Sequence, residues 1–517
     1  MRRIFLLLSF MIINFSNMYS QPQFEWLRNY SMIGEAVAID STGNIYAVGY
    51  IGTDVHILKY NTNGNLIWHR FDTLNTTGNG IFAVSDKQGN VYVTADGFSG
   101  PTGAYLRTLK YDSTGTEIWL RYCFATEANA MCLDNAGNIY IAGRKTVQGR
   151  YDYITIKYNP SGDTLWTAVY GSPFTNGGSI ANAICVDLQS NVYVTGSSIN
   201  TSAHDVYATV KYNSSGIQQW VAKYDISTLG AGSGGASITI DKYGYSYVTG
   251  GGYYDSNHWI IGTIKYTPNG DSVWTRLYIP PLGLSSEYGN NILLDSLLNI
   301  YISGRGSDST HYSGSYRTIK YDNNGNLLWA KSDTGGIIPN SMVLDKYSNI
   351  FMTGDDNGSK FYSVEYNSSG NKIWSYYYPP TYPARIYSGI KILFDKFNNL
   401  YIYGSSPDSV ILLKFSTLTG IEQNSNLVPP SCKLSQNYPN PFNPITNIKY
   451  QVPRSSNVKL IIYNILGKEV STLVNEKKPS GTYEVKFDGT NKSSGVYFYS
   501  LFINEEKIET KRMLFLK

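Results

Sequence analysis

Cysteine and histidine are both scarce in this chain of 517 residues, with four and five copies. Cys123, Cys132, Cys185 and Cys432 are too few and too scattered for a disulfide framework, and Cys132 and Cys185 sit in the apolar runs "MCLD" and "ICVD", where a thiol serves as a small buried hydrophobe. His56, His69, His204, His258 and His311 show no HExxH or comparable ligand spacing, so neither a metal nor another cofactor is expected. No GxSxG elbow, no Gly-rich phosphate loop and no Cys paired with a base occurs. After residue 20 there is no apolar run of about 18 residues, so no transmembrane span is expected.

Runs of helix formers are missing too. In their place stand Tyr (46), Trp (9) and Gly (49), residues of pleated strands and of the turns between them. With 42% hydrophobic residues the chain can build two sizeable cores, and an all-β fold is predicted. The N-terminal "MRRIFLLLSFMIINFSNMYSQ" reads as a secretory signal peptide over residues 1–20, with the mature chain starting near Gln21 and no Cys placed to take a lipid.

The formal charge of +4 is unevenly spread. Arg2 and Arg3 belong to the expected signal, and residues 432–517 hold 13 Lys/Arg against 7 Asp/Glu, so residues 21–431 carry a formal −4. A nucleic-acid partner therefore has no electrostatic footprint on the larger part of the chain.

The dominant signal is repetition. "DSTGNIYAVG" at residue 40 recurs in variants at 86, 134, 187, 241, 295, 345 and 395. Each is followed by a block like "KYNTNGNLIW" (59), at 110, 157, 211, 265, 320 and 365, with a degraded "KFSTLTGIEQ" at 414. Asp or Asn at the head of a block and Gly three residues on fit a type I turn closed by a left-handed residue. The second block keeps its Gly from Gly64 to Gly420, whereas the first replaces it with Ser190, Leu298, Ser348 and Asn398. A left-handed Leu is strained, so the turn at Leu298 is predicted to differ from the others. In the seventh unit Glu365 replaces the Lys of the second block beside Asp345, which argues against an obligatory Asp–Lys pair; Asp40 and its copies read as turn caps.

One unit reads as strand A ("AVAID"), strand B ("NIYAVG"), strand C ("HILKYN") and strand D ("NLIWHRF"). Eight such antiparallel meanders predict an eight-bladed β-propeller of four-stranded blades, with the Trp of each strand D packed between neighbouring sheets. The eighth unit lacks its Trp, yet "FEWLRNY" (24–30) looks like a strand D without a unit. Trp26 is predicted to complete the eighth blade, so that an N-terminal strand closes the ring. The two blocks resemble the SBBP-type β-propeller repeats of exported bacterial proteins over residues 24–415, a resemblance that implies the fold and is nearly silent on function.

Residues 21–415 are thus read as the propeller and 416–431, with paired Pro, as a linker. In residues 432–517, strands such as "NVKLIIYN", "TYEVKFDG" and "GVYFYSLF" predict a small immunoglobulin-like β-sandwich. Here "NYPNPFNP" (437–444), "IYNILGKEV" (462–470), "SGTYEVKFDGT" (480–490) and "SSGVYFYSL" (493–501) follow in order. The segment resembles the type A (Por secretion) C-terminal sorting domain of type IX secretion cargo. That resemblance implies the type IX machinery as a partner, Sec export followed by passage across the outer membrane of a Gram-negative bacterium, proteolytic removal of the domain, and a product that is secreted or held on the outer surface.

Spacing within the blocks is constant, so the A–B and C–D turns are tight. The B–C and D–A connections vary, from ten residues between Gly49 and Lys59 to sixteen between Gly304 and Lys320, and alternation puts all of them on one face. Variable loops on a rigid scaffold are where recognition sits. "GRYDY" (149–153), "SAHDVY" (202–207), "GYYDSNHW" (252–259) and "DSTHYSGSY" (308–316) supply aromatic and polar groups, and Tyr153, His204, Asp205, Tyr254 and Trp259 are the candidate ligand-binding residues, for an extracellular glycan or protein. The expectation is a monomeric binding or adhesion module without catalytic residues. The alternative is an extracellular enzyme using the propeller channel, a polysaccharide lyase or hydrolase or a quinoprotein-like protein, since the Trp-ending block is similar to the quinoprotein Trp motif. Such an enzyme needs charged groups at the channel ends of the A strands, where "ICVD" and "MVLD" are apolar.

Overall fold

The Asp that opens each A–B turn organises the strands it joins. Asp134 accepts the N–H groups of Ala136 and Asn138 on Oδ1, both at 2.9 Å, while its Oδ2 accepts Asn138 Nδ2 at 2.7 Å and the Tyr140 hydroxyl at 2.9 Å. The repeated Asp, Asn and Tyr are therefore one capping network. Leu298 corrects an expectation: its φ of 63° matches Ser190, Ser348 and Asn398, so its turn is like its siblings. Asp295 accepts the N–H groups of Leu297 and Asn299 at 2.9 Å and Asn299 Nδ2 at 2.8 Å. Those bonds outweigh the roughly 1–2 kcal/mol that a left-handed side chain costs.

The computed structural model describes residues 21–516 except 74–80, 100–102, 126, 173–177, 228–231, 256–257, 280–286, 309–310, 357–359, 379–387, 418–431, 438, 453–454 and 479–480. The expected signal peptide, Gly420 and most of the expected linker lie outside the described residues. The chain divides into two compact units on either side of Thr417. Among the described residues there is no helix, hence none long and apolar enough to cross a membrane.

In the first unit, strands A to D of blade 1 are Ile33–Ile39, Ile45–Ile51, Asp54–Tyr60 and Leu66–Thr73, paired antiparallel in that order. Six more sheets repeat the pattern up to Lys372–Tyr377. The eighth runs Ser388–Phe394, Asn399–Ser406 and Ser409–Ser416, and its outer strand is Gln23–Tyr30, with Trp26 opposite Lys414. Apolar side chains gather into eight core clusters, one between each pair of adjacent blades. One of these joins Tyr401, Tyr403, Val410 and Leu412 of blade 8 to Ile45, Ala47 and Leu58 of blade 1, which closes the ring.

The second repeated block is a latch from blade to blade. Lys110 Nζ and Trp119 Nε1 of blade 2 both donate to the Pro160 carbonyl in the C–D turn of blade 3, at 2.9 and 3.1 Å. Gly162 of that turn has φ 85°, and a Cβ there would stand 2.7 Å from the Trp119 indole, so its lack of a side chain is required twice over. The same two donors meet on Ser113, Ser214, Pro268, Asn323 and Ser368. At the closure Lys414 and Trp26 share the Thr62 carbonyl, at 3.1 and 3.3 Å.

Blade 7 has no such turn to hold, because the outer strand of blade 8 comes from the N-terminus. There Glu365 stands in place of Lys, 3% exposed, with an Oε2 that meets no donor among the described residues, and Trp374 packs on Phe415 at 5.3 Å. Burial, and then the charge of Asp345, push the Glu365 carboxyl up from 4.5 to about 8. Between those values the folded chain holds a proton that the unfolded chain releases, so this group's favourable contribution is complete at the acid end and is lost as pH rises through about 8. Glu365→Gln is expected to flatten the fall in stability between pH 5 and 8, which for one group is at most about 1.4 kcal/mol per pH unit. Urea midpoints across that range, unchanged in slope by the substitution, would refute the assignment.

The second unit is a small β-sandwich of two antiparallel sheets, compatible with the expected immunoglobulin-like form. One sheet holds Lys433–Leu434, Ile445–Val452 and Gly481–Asp488; the other orders Glu469–Lys478, Ser456–Tyr463, Gly495–Ile503 and Glu506–Phe515. Its core includes Ile448, Tyr450, Leu460, Tyr499, Leu501 and Met513.

Candidate functional site

The B–C hairpin of blade 5 joins Ser246–Tyr253 to Trp259–Tyr266, with Tyr253 opposite Trp259. Their rings lie 4.4 Å apart, and Trp259 meets Tyr288, the first residue of strand A in blade 6, at 5.6 Å. Gly251 makes this wall possible, because a Cβ there would stand 2.4 Å from Tyr288 Cδ2 and 3.0 Å from Trp259 Cε3. The wall separates two cavities on the face of the variable loops. One of about 500 Å³ is lined by Trp259, Tyr288, Asn290, Arg305 and Ile338. The other, about 300 Å³, adds Asn182, Ser197, Asp205 and Tyr253 to the same two rings.

Two of these polar groups have their positions set by a repeated bulge. Pairing of strands A and B shifts at Glu35, Asn129, Asn182, Ala236, Asn290, Asn340 and Ile390 in seven blades. The bulged Asn residues reach the next blade: Asn129 Nδ2 donates to Ala181 O at 2.7 Å and Asn182 Nδ2 to Gly235 O at 2.9 Å. A belt of carboxamides thus rims the channel mouth, and Asn182 and Asn290 present it to the two cavities.

Of the five residues selected from sequence, the structure brings Asp205 and Trp259 into this groove. Tyr153 is a correction: it is 0% exposed, packs in the core between blades 3 and 4, and donates its hydroxyl to Ala208 O at 3.0 Å, so it offers no face to a ligand. His204 is half-buried in a turn where its N–H donates to Asn200 Oδ1 at 3.1 Å, and it lines neither cavity. Tyr254 is exposed at the hairpin tip, next to the wall and outside the lining of both cavities. Sequence reading missed Tyr253, Tyr288, Asn290 and Arg305. Aligning the repeats by column holds the missing signal: Arg305 lies ten residues after Asp295 as Arg144 lies ten after Asp134, outside both quoted blocks.

A third cavity of about 550 Å³ lies within the ring, lined by strands A of blades 1, 2, 3, 7 and 8. Much of its lining is apolar, as "MVLD" and its copies led one to expect, but Glu35, Asn340 and Lys391 also face it. Burial, reinforced by Asp96, pushes the Glu35 carboxyl up to about 7. The surrounding ring depresses the Lys391 ammonium by desolvation although the side chain opens into the lumen. The four cysteines are unpaired, and burial raises the Cys132 thiol to about 12, the pKa of an inert one. Among the described residues no group of three or more His, Cys, Asp or Glu is placed to hold a metal.

In the second unit the "NYPNPFNP" segment straps the last strand. Phe442 stacks on Phe515 at 4.9 Å, donates its N–H to Leu514 O at 3.0 Å, and accepts from Leu516 N at 3.0 Å. Asn437 Nδ2 donates to Thr446 Oγ1 at 2.9 Å. At the tip between Tyr463 and Glu469, Ile465 and Leu466 project into solvent, 70% and 85% exposed.

Residues 436–515 match the family model described as "Secretion system C-terminal sorting domain". No curated protein sequence matches the chain. Among solved structures, the chain is similar to the Dos1 propeller, with TM-score 0.50 and 11% identity over 78% of this chain and 98% of that one. It is also similar to the C-terminal WD40 domain of Sif2, with TM-score 0.51 and 8% identity over 77% and 99%. Identities so low carry the fold alone. The sorting domain makes the protein cargo of the type IX secretion machinery, bound for the medium or the outer surface. The chain therefore joins a β-propeller to a secretion system C-terminal sorting domain.

Proposed function

We propose that the propeller is a non-catalytic binding module for saccharides, which its tail delivers outside the cell and then leaves by proteolysis. The observation that carries this reading is the Tyr253–Trp259–Tyr288 wall standing between two open cavities with carboxamides at their edges. Aromatic faces bury the C–H surfaces of a sugar ring, while amides and charged groups satisfy its hydroxyls. Sec export through the N-terminal segment belongs to the same proposal, as do release or surface retention after cleavage.

The test is retention of an oligosaccharide panel on the purified full chain. Trp259→Ala is expected to weaken binding by about 2 kcal/mol, some thirtyfold, with an unchanged unfolding midpoint, whereas Tyr254→Ala has little effect. Undiminished binding by the Trp259 variant sinks the reading, as does a panel with no binder. A second reading, catalysis in the channel, draws on Glu35 and Lys391 facing one lumen. It requires turnover of a bound glycan that Glu35→Gln abolishes while binding persists.

A further inference from the structure

We infer that the cavity at Arg305 takes the carboxylate of a uronic acid, within a glycan whose neighbouring sugar is uncharged. This rests on the saccharide reading above and names its ligand class. The argument comes from comparing two blades of the same ring. Arg144 in blade 3 and Arg305 in blade 6 occupy one repeat position, and each has a cross-strand partner at the start of strand A. For Arg144 that partner is Glu127, whose carboxylate it engages, and its guanidinium lies over Tyr151 at 4.6 Å. For Arg305 the partner is Tyr288, so the fold keeps the cation and removes its anion.

Among the described residues no other carboxylate takes that place. Glu287, the neighbour of Tyr288, is held by Arg317 through Nε at 2.9 Å and Nη2 at 2.6 Å. Among the described residues Arg305 has no ion pair, and it stands exposed at the rim of the 500 Å³ cavity. A guanidinium can engage a carboxylate through two parallel hydrogen bonds, and in blade 3 Arg144 Nη2 engages Glu127 Oε2 where Arg305 meets no anion among the described residues. The Trp259 and Tyr288 rings beside it suit a sugar face, which argues for a uronate over a free carboxylic acid.

Asp205 decides what lies next. It lines the adjoining cavity, exposed and with no basic partner among the described residues, so a second carboxylate one sugar further along would be repelled. With a formal −4 over residues 21–431, the propeller offers a polyanion no general attraction either. The favoured ligand alternates a uronate with a neutral sugar; a homopolymer of uronates is disfavoured.

The experiment is calorimetry of the full chain with four probes: a hyaluronan hexasaccharide, the same oligomer with its carboxyls reduced to alcohols, a polygalacturonate hexamer, and cellohexaose. Hyaluronan is expected to bind, and both carboxyl reduction and Arg305→Gln to weaken it about tenfold or more. Polygalacturonate should bind more weakly than hyaluronan, and Asp205→Asn should narrow that gap. Arg144→Gln, which breaks the paired counterpart, should leave affinity unchanged. If Arg305→Gln or the reduced oligomer binds as well as the parent pair, the uronate assignment is wrong. If cellohexaose equals hyaluronan and Trp259→Ala abolishes both, the saccharide reading stands and this inference falls. Failure of all four probes to bind overturns the inference, and the wider panel then decides the reading beneath it.

Discussion

Trp26→Ala is expected to lower the stability of the propeller by about 3 kcal/mol, toward the small end for loss of a large aromatic because the indole is half-buried. The residue lies over 380 positions from its strand partner Lys414, and its indole N–H shares the Thr62 carbonyl with the Lys414 ammonium. Removing the ring therefore takes one donor from the closing latch and uncovers Gly64, whose Cα faces the indole. Thermal and urea unfolding followed by the remaining tryptophans would read the loss. A double cycle with Lys414→Met should show coupling of about 0.5–3 kcal/mol, since both donors meet one acceptor. A Trp26 variant as stable as the parent would mean that the N-terminal strand is ornamental and the ring is held by its other six latches.

Deleting residues 432–517 is expected to stop the protein from reaching the medium or the outer surface while leaving the propeller folded. The physical ground is separation of cores: the sandwich has its own cluster around Leu460 and Tyr499, and none of the eight propeller clusters includes a residue beyond Phe415. Loss of export would therefore be loss of an address and not of a fold. A milder variant, Ile465→Ser with Leu466→Ser, alters exposed side chains only and is expected to reduce export several-fold through the hairpin tip. Fractionation of the native host with immunodetection reads both. Secretion of the truncated chain at the parental level would end this account, and a secreted form still ending in Lys517 would contradict proteolytic removal.

The architecture was legible because its determinants are local and repeated. Asp, Asn and Gly at fixed offsets specify turns whose bonds form within five residues, and Lys, Gly and Trp recur because every blade but the seventh meets the next in the same way. Even the closure left a mark, an extra "FEWLRNY" at one end and a missing Trp at the other. Leu298 shows the limit of reading one residue by its own preference, since the Asp295 network overrides it.

The groove was much less legible. Tyr153 and Trp259 look alike as aromatics in variable loops and fall on the same face of strand C, four and six residues before Lys157 and Lys265, yet two residues along the strand separate the core from the rim. Arg305 is unremarked in one dimension, because its meaning depends on the residue across the strand.

Sequence by itself determined the number of blades, the turn chemistry, the closing strand and the sorting tail, all of which follow from residues near one another or repeated in register. Only the tertiary structure decided which side chains share a cavity, that Arg305 faces Tyr288 where Arg144 faces Glu127, and that Glu365 sits where no turn awaits a lysine. Those facts depend on pairings between segments far apart in the chain, and a strand's own pattern says which face is buried without saying what will lie against it.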